Sequence, residues 1–208
     1  MVILRSCILT SAVLAVAAPT AARQAASYVV LEEAEEIALA LSAAPAHVSA
    51  EATVWVLRDG GYVRVVEGTN GNTCFVARTY PESLEPICYD AEATRTILPV
   101  EFRRFELRMA GKTGTEIDRE IDRAVGAGEL QAPRRPAMGY MMSSGQILFA
   151  SNDRRVGSWH PHLMMYTPYI THQDIGLPEA TAGLQVFEAG KPMAHIIIVV
   201  PEFVDPVR

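Results

Sequence analysis

A run of about 18 apolar residues, the minimum for a membrane-spanning helix, occurs nowhere after Ala22. Basic residues are also scarce. Against 24 Asp and Glu stand 18 Lys and Arg, a net charge of −6, which removes the electrostatic footprint of a nucleic-acid binder. Aromatics make up 7% and charged residues 20%, while 50% of the chain is apolar, so disordered and collagen-like chains are excluded. The chain carries no HExxH, GxSxG, SxxK, CxxC, EF-hand or phosphate-loop pattern, and so none of the local signatures of those chemistries. With three cysteines among 208 residues, it is not a disulfide-dense scaffold.

What is present begins with an address. Arg5 supplies a positive start, Ser6 to Ala18 form an apolar run of 13 residues, and Pro19 with Thr20-Ala21-Ala22 follows. That order of charge, apolar stretch and small residues is expected of a signal peptide over residues 1–22, cleaved after Ala22. Cleavage removes Arg5 and Cys7, leaving a net charge of −7 and two cysteines, Cys74 and Cys88. An even pair in an exported chain predicts a disulfide. Its closed loop of about 15 residues contributes roughly 3 kcal/mol in the chain-entropy account. The expectation is a periplasmic or extracellular protein with no membrane span after cleavage.

Local patterning predicts a single α+β domain over residues 28–208, mainly an antiparallel sheet with an N-terminal helix and a helical hairpin. Residues 28–42 repeat Leu31, Ala34, Ala38 and Leu41 at helical spacing, and Glu32, Glu33, Glu35 and Glu36 read as a solvated face. Residues 52–79 read as a three-stranded antiparallel meander, with turns at Asp59-Gly60-Gly61 and Asn70-Gly71. Cys74 falls on its third strand and Cys88 in the loop beyond. Residues 98–128 switch to helical period, with Phe102, Phe105 and Met109 on one stripe and a Thr113/Glu116 capping box opening the second helix. From Pro133 onward short apolar strands alternate with turns, and the run ending Ile196-Ile197-Ile198-Val199-Val200 reads as a central strand.

Chemistry-bearing candidates are few. His160 and His162 stand two residues apart, so in an extended chain they share a face. With His195 as a third ligand they offer a zinc site whose open position would hold an acidic water, a metal-assisted hydrolase. Against this stands a turn fixed by Pro161 in which the imidazoles bond to main chain. Glu82, Glu85, Asp90 and Glu92 surround Cys88 as an acidic cluster. Arg134-Arg135 and Arg154-Arg155 read as solvated pairs, and the methionines at 138, 141, 142, 164 and 165 as core filling.

Gly68-Thr69-Asn70-Gly71 before Cys74, Glu85-Pro86 before Cys88, and His160-Pro161-His162-Leu163-Met164 before Tyr166-Thr167-Pro168-Tyr169 together resemble a family of bacterial exported proteins with no established activity. That resemblance implies export and a single domain over most of the mature chain, and assigns no catalytic residue. The functional expectation is a binder of a small molecule or a partner protein. A hydrolase using the His pair and a structural envelope component are the alternatives.

Overall fold

The computed structural model describes residues 27–149, 155–157, 159–177 and 184–207. The leader read in residues 1–22 lies outside them, as does Arg154. The run ATVWVLR becomes β1 (Thr53–Arg58), and the chain turns directly into β2 (Gly61–Val66), with Arg58 opposite Gly61. Gly60 and Gly61 hold φ of +101° and +145°, conformations that glycine adopts without the penalty a Cβ brings.

The expected meander stops there. β3 (Thr73–Ala77) does not turn back onto β2; it lies parallel to β1 on the other side, Thr53 opposite Thr73 and Val54 opposite Cys74. Residues 67–72 form a crossover beneath the start of β1 instead of a hairpin. The N–H groups of Thr69 and Asn70 donate to the Glu51 carbonyl at 2.9 and 3.3 Å, and that of Thr53 donates to Asn72 at 2.9 Å. The side-chain amides of Asn70 and Asn72 both donate to the Val48 carbonyl. Gly68 makes the crossing close: a Cβ there would stand 2.2 Å from the Thr53 nitrogen.

Next, β4 (Glu85–Tyr89) pairs antiparallel with β3 and places Cys88 opposite Cys74, where the disulfide closes with Cα atoms 4.0 Å apart. Cys88 therefore sits on a strand, not in a loop. Ile87, Cys88 and Tyr89 are buried, so this short run is covered on both faces and needs no alternation to be a strand. The bridge joins neighbouring central strands and does not staple a loop.

Beyond β4 come β5 (Ala137–Met141), a small hairpin of β6 (Leu148–Phe149) and β7 (Arg155–Gly157), then β8 (His162–Tyr166), β9 (Leu184–Phe187) and β10 (His195–Val199). The eight-stranded sheet runs β2-β1-β3-β4-β5-β8-β10-β9, antiparallel except between β1 and β3. The C-terminal apolar run is interior as β10, but beside the edge; Ile196 and Ile197 are buried while Val199 is 39% exposed. Helices cover both faces of the sheet's first half. On one side α1 (Glu33–Leu41) and α2 (Ala46–Ser49) meet Val54, Val56, Cys74 and Val76. On the other, α3 (Ala91–Thr96), α4 (Leu98–Met109) and α5 (Gly114–Gly126) meet Phe75, Ile87, Tyr89, Met164 and Tyr166.

Two further expectations are corrected at α1. Residues 28–32 are extended, because Val29 donates to the Pro81 carbonyl at 2.8 Å and accepts from Arg78 Nε at 3.1 Å; the helix starts only at Glu33. Its buried face carries Glu36, Leu39 and Ala40, while Ala34 is exposed. Glu36 is not solvated. Its Oε1 accepts from Arg78 Nη2 at 3.2 Å and from the Leu57 N–H at 3.1 Å, with both side chains fully buried. A glutamate reads as surface by type, yet the cation of Arg78, just beyond the end of β3, lets it enter the core.

Candidate functional site

The sheet does not gather the three histidines. His162 and His195 point to the same face, but His162 is opposite Val199 and His195 opposite Tyr166. Four rungs separate them, about 13 Å at a rise of about 3.3 Å per residue. His160 precedes β8 and is exposed. Its carbonyl accepts from His162 Nδ1 at 2.9 Å, which assigns the proton to Nδ1 and leaves Nε2 a bare acceptor. That Nε2 is buried and has no hydrogen-bond partner among the described residues. His195 donates from Nδ1 to the Met193 carbonyl at 3.1 Å and lies between the rings of Tyr166 and Phe187, with centroids at 4.7 and 5.6 Å. Burial lowers the pKa of both imidazoles, and the carbonyl each ring faces opposes that shift. Among the described residues, no three His, Cys, Asp or Glu side chains are arranged to hold a metal ion.

The acidic cluster around Cys88 is dispersed as well. Asp90 caps α3 by accepting from the Ala93 N–H at 2.7 Å. Glu92 is buried under Arg95 and Arg135, at 2.6 and 3.1 Å, and accepts from the Arg134 N–H. Burial pushes its carboxyl up, but these donors outweigh it and hold the pKa below the ordinary range. Glu85 turns onto Thr79, accepting from its N–H at 3.2 Å and its hydroxyl at 2.9 Å. Burial raises its pKa against those bonds and against the charge of Arg108.

A larger concave feature among the described residues lies elsewhere. A cavity of about 830 Å³ opens between the extended N-terminal segment, the turn at residues 79–81, the end of α4 and the start of α5. Its construction begins with α4. Phe102 stacks on Tyr62 at 4.9 Å and meets Trp55 at 5.1 Å, and Phe105 meets Tyr62 and Tyr28 at 5.1 and 5.0 Å. Rings at these separations attract one another beyond their area of burial, by about 0.5–1.5 kcal/mol per pair. The aromatic stripe thus fixes the helix on the sheet, and the next side chains around the helix face the cavity. Arg104 and Arg108 are one turn apart, and Lys112 follows after Gly111 ends the helix at φ +75°.

Each cation is held differently. Arg104 donates to Glu101 at 2.9 Å and to Glu188 at 2.6 Å. Burial opposes its charge, and the two carboxylates outweigh burial and raise its pKa. Glu188 has φ +50°, a conformation unusual for a non-glycine residue; the ion pair and the Lys191 N–H on its carbonyl anchor it. The Lys112 ammonium stands 4.0 Å from Glu116. Arg108 is half-buried, its carbonyl accepts from the Gly111 N–H at 2.8 Å, and its side chain makes no hydrogen bond or ion pair among the described residues. Tyr28 and Tyr80 line the same space, as do Ile117, Asp118 and Gly114. Burial raises the Tyr28 pKa, with Arg108 pulling it down.

These positions went unassigned in the sequence, although a signal was there. Arg104, Arg108 and Lys112 recur every four residues beside the aromatic stripe. Cations at a helix end are equally accounted for by the helix dipole, and nothing local says that a cavity lies opposite them. Comparison with models of protein families, with curated proteins and with solved structures finds no match for this chain.

Proposed function

We propose that the chain is an exported, disulfide-containing protein that binds a small ligand in the cavity between α4, α5 and the segment at residues 28–32. The observation that carries the reading is the cavity itself. Its volume of about 830 Å³ falls within the roughly 300–1,000 Å³ of small-molecule sites. Its wall combines the rings of Tyr28 and Tyr80 and the apolar Met109 and Ile117 with the charged Arg104, Arg108, Lys112, Asp118 and Glu188. Export is supported by the leader-like residues 1–22 and by the bridge between Cys74 and Cys88, since such bonds persist in oxidising compartments.

Two measurements test the two halves. The full chain expressed in a bacterium is expected in the periplasmic extract, with Arg23 as its first residue and both thiols joined. An intact amino terminus on a cytosolic product with free thiols refutes export. For ligand binding, the protein is incubated with a small-molecule extract of the host, washed by ultrafiltration and read by mass spectrometry. Gly114→Trp serves as the blocked control, because Gly114 lines the cavity and a Cβ there meets nothing within 4 Å; its melting temperature establishes that it is folded. Wild type is expected to retain compounds that the control does not; identical retention by the two removes the cavity from the function.

A further inference from the structure

We infer that the cavity binds an oxyanion, a carboxylate or phosphate group carried on a flat apolar body, and that the guanidinium of Arg108 recognises it. The inference rests on the cavity being a ligand site and adds the chemical class of the ligand.

Arg104, Arg108 and Lys112 face Asp118 and Glu188. Glu188 is taken by Arg104, which also holds Glu101. Lys112 has Glu116 at the limit of ion-pair distance, and Glu116 Oε2 already accepts from the N–H and hydroxyl of Thr113. Asp118 is exposed and, among the described residues, makes no ion pair with Arg108. Glu85 is close enough to feel Arg108, but its two oxygens are turned to Thr79. The half-buried fork of Arg108 is therefore left with five N–H donors and no acceptor among the described residues. Guanidinium geometry matches carboxylate and phosphate oxygens in pairs, so a fork that faces a cavity and is claimed by no carboxylate of the wall is complementary to an oxyanion. Tyr28 and Tyr80 add hydroxyl donors and apolar ring surface to the same wall, so a ligand rich in acceptors at one end and flat at the other complements it.

The test is calorimetric titration of the oxidised full-length mature protein with benzoate, phenyl phosphate and the neutral benzyl alcohol. Wild type is expected to bind at least one of the two anions about tenfold more tightly than the alcohol, and the tighter anion distinguishes carboxylate from phosphate chemistry. Arg108→Gln is expected to lose about tenfold in that anion's affinity while leaving the alcohol unchanged, and Arg108→Lys to fall between. Circular dichroism and melting temperature establish that each variant is folded. Equal affinity for anion and alcohol, or an Arg108→Gln variant that binds the anion as wild type does, overturns the inference. If the alcohol then still binds in a manner that Gly114→Trp abolishes, the cavity remains a ligand site of another class. Absence of binding by all three probes overturns the anion assignment, and the extract experiment then decides the ligand reading by itself.

Discussion

Replacing Glu36 with alanine isolates the most consequential interaction that no sequence pattern announces. The carboxylate is fully buried between α1 and the sheet, accepting from Arg78 Nη2 at 3.2 Å and from the Leu57 N–H at 3.1 Å. Arg78 also donates to the carbonyls of Val29 and Val76, so the pair ties the N-terminal segment, α1, β1 and β3 together. Removing one partner leaves a buried guanidinium uncompensated, which costs about 3–5 kcal/mol. For a chain of this size that lowers the melting temperature by about 6–20 °C. A second variant separates charge imbalance from lost contacts. Burial raises the Glu36 pKa against the attraction of Arg78, and replacing a whole buried ion pair by apolar residues of similar volume is often neutral or stabilising. Glu36→Leu with Arg78→Met, which removes both charges, is therefore expected to be more stable than Glu36→Ala alone. Urea unfolding followed by circular dichroism, with the disulfide intact, measures all three proteins. A loss below about 1 kcal/mol for Glu36→Ala, the value of a surface pair, would refute the reasoning, as would a double variant less stable than the single one.

Gly68→Ala puts a Cβ 2.2 Å from the Thr53 nitrogen and 2.6 Å from the Glu51 carbonyl oxygen. Neither backbone atom can yield without displacing β1, so a loss of about 2 kcal/mol or more is expected in the same unfolding assay; a neutral effect would mean that the crossover is not where it is drawn. The imidazoles of His162 and His195 have pKa values lowered by burial from about 6.5. The unfolded chain then binds more protons than the folded one between the lowered and the ordinary values. Their contribution is fully present above about pH 6.5 and is lost as pH falls through the lowered folded values. His162→Phe is expected to flatten the slope of stability between pH 5 and pH 7.5, and an unchanged slope would show that this imidazole is not buried neutral.

Much of the secondary structure was readable because it rests on local rules. The β1–β2 hairpin follows from glycines at a turn that requires positive φ, and α5 from a capping box, with the Thr113 N–H donating to Glu116 at 2.8 Å. The joining of Cys74 to Cys88 followed from an even count. What failed shares one cause: each error turned on what lay across space from the residue. Asn70-Gly71 has hairpin chemistry, yet its backbone bonds to Glu51 and not to β2. Glu36 has a surface side chain, yet Arg78 stands opposite. The His160/His162 pair left two readings open in the sequence, a shared metal or a turn bonded to main chain, and in the structure His162 Nδ1 donates to the His160 carbonyl at 2.9 Å.

By itself, the sequence determined the α+β class, the existence and period of most helices and strands, and the cysteine pair, because propensity, turn chemistry and hydrophobic period act between near neighbours. Strand order, the parallel pairing of β1 with β3, the buried Glu36–Arg78 pair and the cavity at Arg108 were decided only in the tertiary structure. Each of these depends on which distant segment supplies the compensating partner, or leaves a charge without one, and burial energies of that kind are set by contacts that adjacency along the chain does not encode.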